Sequence, residues 1–211
     1  EPPFWAWRDL LVAAVLAIPL FIAAGLLTGL AIHALPGEPP KAVRLLVPQF
    51  AGFAAALLPV VFMFRARYDR PLWQSINLHL PRGEWYRSVF VGIGLATLVL
   101  VTAALLHPPR IQSPLQELMN DPRSAPYLVV AAVTLAPLFE ELFFRGLLQP
   151  LLVRDLGVIM GIGLSAVPFA LLHGPEFSWS WRHVLLIAIA GTGFAIKRHT
   201  SGSLGAAMVT H

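Results

Sequence analysis

The 211-residue chain is 57% hydrophobic and 12% charged, with a mean hydropathy of +0.71, too little charge to cover a water-soluble domain of this size. Its net charge is +4 and its pI is near 10.1, yet no basic segment is interleaved with aromatics, so the charge reads as membrane topology and no nucleic-acid partner is expected. Cysteine is absent, which excludes disulfides, thiol catalysis and cysteine metal sites.

A membrane span needs about 20 apolar residues, and the sequence holds six apolar blocks and part of a seventh. The first runs from about Leu10 to Leu35, with Trp5 and Trp7 as interfacial anchors. It is long for a signal peptide and lacks a small-residue cleavage site. The second, from about Val43 to Phe64, ends in the basic cluster RARYDR. The connector PLWQSINLHLPRGEWYR is too mixed to span and is expected to lie along the membrane surface. The third block, Ser88 to Leu106, is closed by HPPR, the fourth is Tyr127 to Val153, and the fifth, Gly157 to Leu172, is closed by HGP. The sixth runs from about His183 to Ile196 and stops at KRHTSG; the last starts at Ser203 and continues to His211. Opening on Glu1 and closing inside a block, the sequence reads as part of a longer protein of seven or eight helices. With no internal repeat or soluble domain, the expected fold is all-α: one polytopic transmembrane helical bundle over residues 1–211, of about seven helices.

Short cytoplasmic loops carry the excess of Lys and Arg. With the N-terminus inside, the cytoplasmic side collects Arg8, Arg65, Arg67, Arg70, Arg82, Arg87, Arg154, Lys197 and Arg198, against Lys41, Arg44, Arg110, Arg123 and Arg182 outside. Nine against five predicts a cytoplasmic N-terminus. The Ala, Leu, Gly and Pro-rich composition points to a high-GC bacterium, hence to its inner membrane.

Ionisable groups at membrane depth are costly and face the bundle interior or a wet cavity. The fourth block carries three, in PLFEELFFRGLLQPLL (residues 137–152). Glu141 and Arg145 are four apart and share a helix face, so Glu141 can be held ionised. Glu140 is rotated by about 100° and points elsewhere; a like-charged neighbour and poor solvation suit this freer carboxylate to general-base work. A salt bridge that merely joins helices would need only one Glu and one Arg, and two carboxylates leave a surplus acid. In FALLH, Phe169 and His173 also share a face at a helix end. Taken alone, His173 and the terminal His211 read as ordinary interfacial histidines, as do His33, His79, His107, His183 and His199 at block ends or in connectors.

Taken together, the motifs resemble a known family. EELFFR matches EExxxR, FALLH matches FxxxH, and His211 stands where HxxxN begins in the CAAX protease and bacteriocin-processing family of membrane-embedded endopeptidases, with the asparagine falling beyond residue 211. The resemblance covers about Thr134 to His211, within a motif-bearing core of about 127–211; the N-terminal half shares only the hydropathy. It implies that Glu140 activates a water for attack on a peptide carbonyl, that His173 holds that water or relays its proton, and that Arg145 orients the glutamate pair through Glu141. His211 with the asparagine would stabilise the oxyanion. The substrate it implies is a membrane-associated protein or peptide cut near its C-terminus or close to the bilayer, whether a prenylated CAAX protein, a bacteriocin or signal peptide, or a sorting signal.

No HExxH occurs, nor a close pair of histidines on one helix face, so a metal-free glutamate mechanism is favoured; a divalent metal such as zinc on Glu140, His173 and His211 is the alternative. A non-proteolytic transporter or scaffold with a buried glutamate is the rival function, and the histidine set argues against it. One geometric difficulty attaches to the joint site. Measured from Tyr127, Glu140 lies about 20 Å down the fourth helix, whereas His173 lies about 24 Å up the fifth. An irregularity near Pro137, turning Tyr127 to Ala136 into a shallow lead-in, is the expected resolution.

Overall fold

Helices without a polar stripe have no aqueous face, and the long helices of this chain expose apolar side chains on most of their circumference. The computed structural model describes residues 2–211. Nine helices occur among them: α1 Trp7–His33, α2 Lys41–Tyr68, α3 Leu72–Ser75, α4 Glu84–Leu106, α5 Pro114–Asn120, α6 Ala125–Leu156, α7 Val158–Leu172, α8 Trp181–Ser201 and α9 Leu204–Thr210. No strand is found among the described residues, as the all-α reading expects; α3 and α5, short turns of helix inside the connectors, exceed the seven helices anticipated. Four helices, α1, α2, α4 and α6, are long and apolar enough to cross a membrane, and the 15-residue α7 is a shorter apolar helix. On α1 alone Leu11, Val15, Ile18, Leu26 and Leu30 are exposed. Water would not tolerate such a surface and lipid requires it: the protein is an integral membrane protein.

The chain divides into two compact units. One comprises Trp5–Leu72 and Pro114–Phe139. Its α1 and α2 form a hairpin in which Gly52 lets Phe21 approach; a Cβ there would stand 2.7 Å from the ring. Phe53 sits 5.3 Å from Phe21 and 5.5 Å from Phe139, so aromatic rings tie the first part of α6 to the hairpin. Buried Asp9 fastens the helix ends, accepting from the Ala6 amide at 2.7 Å and the Tyr68 hydroxyl at 2.5 Å and pairing with Arg67 at 2.8 Å.

The other unit contains Trp73–Ser113 and Glu140–His211. The connector before α4 leaves Trp73 and Leu80 exposed while other parts of it are anchored to α9. Ile76 is buried, Asn77 turns the chain at φ 54°, and the carbonyls of Asn77 and His79 accept from the Leu204 amide (3.0 Å) and the Ser203 hydroxyl. Backbone acceptors without a partner are costly at membrane depth, so these bonds draw the connector onto the start of α9. Glycines bring α9 close to its neighbours: a Cβ on Gly92 of α4 would meet the Thr210 carbonyl at 2.6 Å, and one on Gly205 the His79 carbonyl at 2.6 Å.

Within α6 the hydrogen-bond ladder widens twice into π turns, at Ala131–Leu135 and Leu142–Leu148. Each ends one residue before a proline-preceding amide: Ala136 N–H bonds back to Ala131 and Gln149 N–H to Phe144, five residues each, just ahead of Pro137 and Pro150. A proline ring crowds the carbonyl four residues back, and a widened turn relieves that contact. The irregularity expected near Pro137 is therefore present as a π turn, and the helix continues through it unbroken.

Candidate active site

The difficulty over depth disappears when both residues are measured from the turn that α6 and α7 share. Gly157, at φ 79° a conformation that disfavours a side chain, separates the two helices. Glu140 stands sixteen residues before Leu156 and His173 sixteen after Gly157, about 24 Å in each case at 1.5 Å per residue. Equal arms of a hairpin end level. Pro137 is not needed to bring the pair together: α6 has 32 residues, more than the roughly 20 that one span requires, so its first residue is no measure of the depth of Glu140.

All five motif side chains meet in this unit. Arg145 Nη1 lies 3.0 Å from Glu141 Oε1, and both side chains are fully buried. The guanidinium also donates from Nη2 to the Gly191 carbonyl at 2.8 Å and lies 4.3 Å from the centre of the Phe169 ring, with Phe194 at 5.5 Å and Phe144 at 5.7 Å. Phe144, Phe169 and Phe194 form one apolar cluster with Leu95, Leu148, Ile187 and Ala190, so the charge is enclosed in aromatic faces and its one carboxylate partner is fixed. The close approach depends on Gly191, where a Cβ would stand 2.7 Å from the Phe169 ring.

Phe169 serves the histidine as well. Its carbonyl accepts from His173 Nδ1 at 2.8 Å and its ring lies 4.9 Å from the imidazole. A carbonyl cannot donate, so Nδ1 carries the proton and Nε2 is turned toward Glu140 Oε1, 3.7 Å away. His211 stacks on Phe194 at 4.1 Å, places Nδ1 3.1 Å from Glu141 Oε1, and holds Nε2 3.6 Å from Glu140 Oε2. Glu140 thus lies between two imidazoles, each just beyond hydrogen-bond distance, at a spacing that a bridging water can close. Its side chain, like that of His173, is 27% accessible, whereas Glu141 is sealed.

Glu140 turns a different oxygen to each histidine, and among the described residues no group of three or more His, Cys, Asp or Glu is arranged to hold a metal ion.

Other contributors gave no signal in the sequence read alone. Arg198, assigned above to a loop tally, is buried within α8; its Nε donates to the Arg145 carbonyl at 3.2 Å, and its charge acts on Glu141. Glu176, in the loop after α7, acts electrostatically on both His173 and Glu140, and burial pushes its carboxyl above the usual range. Gln149, two helical rungs below Glu141, donates to the Ala195 carbonyl at 2.8 Å.

Comparison with curated proteins and with solved structures returned no match. Residues 122–211, which contain every motif side chain, match the family model described as Type II CAAX prenyl endopeptidase Rce1-like.

Proposed function

We propose that the protein is an intramembrane endopeptidase in which Glu140 activates water without a metal ion, acting on a membrane-anchored or lipid-associated protein or peptide near its C-terminus or close to the bilayer. The arrangement that carries this reading is Glu140 suspended between His173 Nε2 (3.7 Å) and His211 Nε2 (3.6 Å) while Arg145 immobilises Glu141 at 3.0 Å. A water in the gap between Glu140 and His173 loses a proton to the carboxylate as its oxygen attacks the scissile carbonyl. The carbonyl electrons move to oxygen, giving a tetrahedral oxyanion. The proton then passes to the departing amine as the C–N bond breaks, which restores the carboxylate and releases acid and amine products. His173 orients the water through Nε2, because its Nδ1 proton is committed to the Phe169 carbonyl. His211 can donate Nε2–H to the oxyanion when its ring carries both protons, since Nδ1–H is held by Glu141. Exclusion of bulk water strengthens each contact.

The basic residues favour a cytoplasmic N-terminus, and composition favours a bacterial inner membrane. The test is cleavage of a membrane-anchored reporter peptide in proteoliposomes by the unaltered chain and by Glu140→Gln, which preserves shape and removes the base. Loss of about a hundredfold or more in kcat is expected for a missing general base; undiminished cleavage by the variant refutes the mechanism.

A further inference from the structure

A backbone carbonyl in the middle of the motif helix has no donor within that helix, and sequence and ladder together say why. In an α turn the Arg145 carbonyl would accept from the amide of residue 149; in a π turn it would accept from residue 150. The Gln149 amide is already spent on Phe144, and residue 150 is proline, which has no N–H. The orphaned carbonyl belongs to Arg145 itself, whose guanidinium pairs with Glu141 and lies over the Phe169 ring.

Arg198 fills the position from α8. Its Nε donates to the Arg145 carbonyl and its Nη2 to the Ile76 carbonyl in the connector, each at 3.2 Å. It completes a set of crossed bonds between the helices, with Arg145 donating to Gly191 at 2.8 Å and Gln149 to Ala195 at 2.8 Å. Through Ile76, the same guanidinium reaches the connector whose Asn77 and His79 carbonyls hold the start of α9, the helix that ends at His211. A planar fork can span two carbonyls in this way; an ammonium is a single point.

We propose that Arg198 is a positioning residue for the active site: by satisfying the carbonyl that the π turn and Pro150 leave open, it fixes the rotation of the Glu140–Arg145 segment and its registry with the His211 helix. It touches no reacting atom. The proposal rests on the protease reading for its kinetic consequence and on the hydrogen-bond count alone for its stability consequence.

The two parts are tested by a double-mutant cycle on the full chain in proteoliposomes. Arg198→Met should lower kcat on the reporter by about 30-fold or more with KM within about twofold, since a positioning defect acts on the chemical step. Pro150→Ala restores an amide that can serve the Arg145 carbonyl from within the helix. In that background Arg198→Met should lose at least tenfold less kcat, and less thermal stability, than in the parent. A general packing role for Arg198 would give equal losses in both backgrounds, and that result, or full activity of Arg198→Met, overturns the proposal. Should Arg198→Met not fold, Arg198→Lys is read in its place: it keeps one donor and loses the second carbonyl, so a reduced kcat in the parent and a smaller reduction beside Pro150→Ala are expected, and no difference between backgrounds overturns the proposal. Glu140→Gln is run alongside. If it cleaves, the protease reading fails while the stability cycle still decides the role of Arg198.

Discussion

Replacing Arg145 with Met should destabilise the chain more than any change on its lipid-facing surfaces. Arg145 and Glu141 are both fully buried and 3.0 Å apart, so the substitution leaves a carboxylate without its cation partner. Breaking a buried pair from one side costs about 3–5 kcal/mol, to which the lost bond to Gly191 at 2.8 Å and the stacking on Phe169 at 4.3 Å add. At about 2–4 °C per kcal/mol for a chain of this size, Tm should fall by about 6–20 °C. The assay is helical circular dichroism against temperature in detergent micelles. The double variant Glu141→Gln with Arg145→Met separates an orphaned charge from a simple loss of packing: with the charge gone, more than half of the lost stability should return, because removing both members of a buried pair is close to neutral. If Arg145→Met melts within about 2 °C of the parent, or the double variant is no better than the single one, the buried pair does not organise the site.

Gly191→Ala should lower both Tm and activity, because its Cβ would stand 2.7 Å from the Phe169 ring and 3.3 Å from Arg145 Nη2; overpacking of this kind costs about 1–3 kcal/mol, readable in the same melts. Gly92→Ala, whose Cβ would meet the Thr210 carbonyl at 2.6 Å, should displace His211 and reduce kcat by about 10- to 100-fold with little effect on KM, measured on the reporter peptide. Glu176 gives a pH signature, since burial raises its folded pKa above the ordinary 4.5. Its ionisation then opposes folding, so stability falls as pH rises from the unfolded value through the raised folded value; Glu176→Gln should melt higher than the parent at neutral pH, with the gap closing below about pH 4.5. Exhaustive treatment with a zinc chelator should leave cleavage unchanged, and loss of activity restored by added zinc would refute the metal-free mechanism.

Hydropathy located the helices because lipid imposes one requirement over a long stretch, and it failed where that requirement ends. The second block, read as Val43 to Phe64, extends to Lys41–Tyr68, and the sixth, read as His183 to Ile196, extends to Trp181–Ser201. Most of the added residues are charged or polar, yet the helices continue where such side chains find partners: Arg67 on Asp9 at 2.8 Å, and Lys197 on Glu84 at 2.8 Å. Helix α5 and the burial of Ile76 were invisible for the opposite reason, being short segments held by tertiary contacts without a periodic pattern of their own.

The site was legible only where spacing along one helix decides geometry. Glu141 with Arg145 and Phe169 with His173 are such pairs, and both meet as the four-residue spacing requires, at 3.0 Å between the charged atoms and 4.9 Å between the rings. Contacts between helices carry no such spacing. Arg198 is adjacent in sequence to Lys197 and looks like part of the same basic helix end, but Lys197 reaches the carboxylate of Glu84 while Arg198 turns to the backbone carbonyls of Arg145 and Ile76. What could have singled it out is the proline: Pro150 removes an amide from the helix that carries the buried Glu141–Arg145 pair, so some donor from elsewhere had to replace it. A missing N–H can be read from sequence with certainty, and the demand it creates for a partner is a better guide to hidden positioning residues than the charge of the residue that answers it.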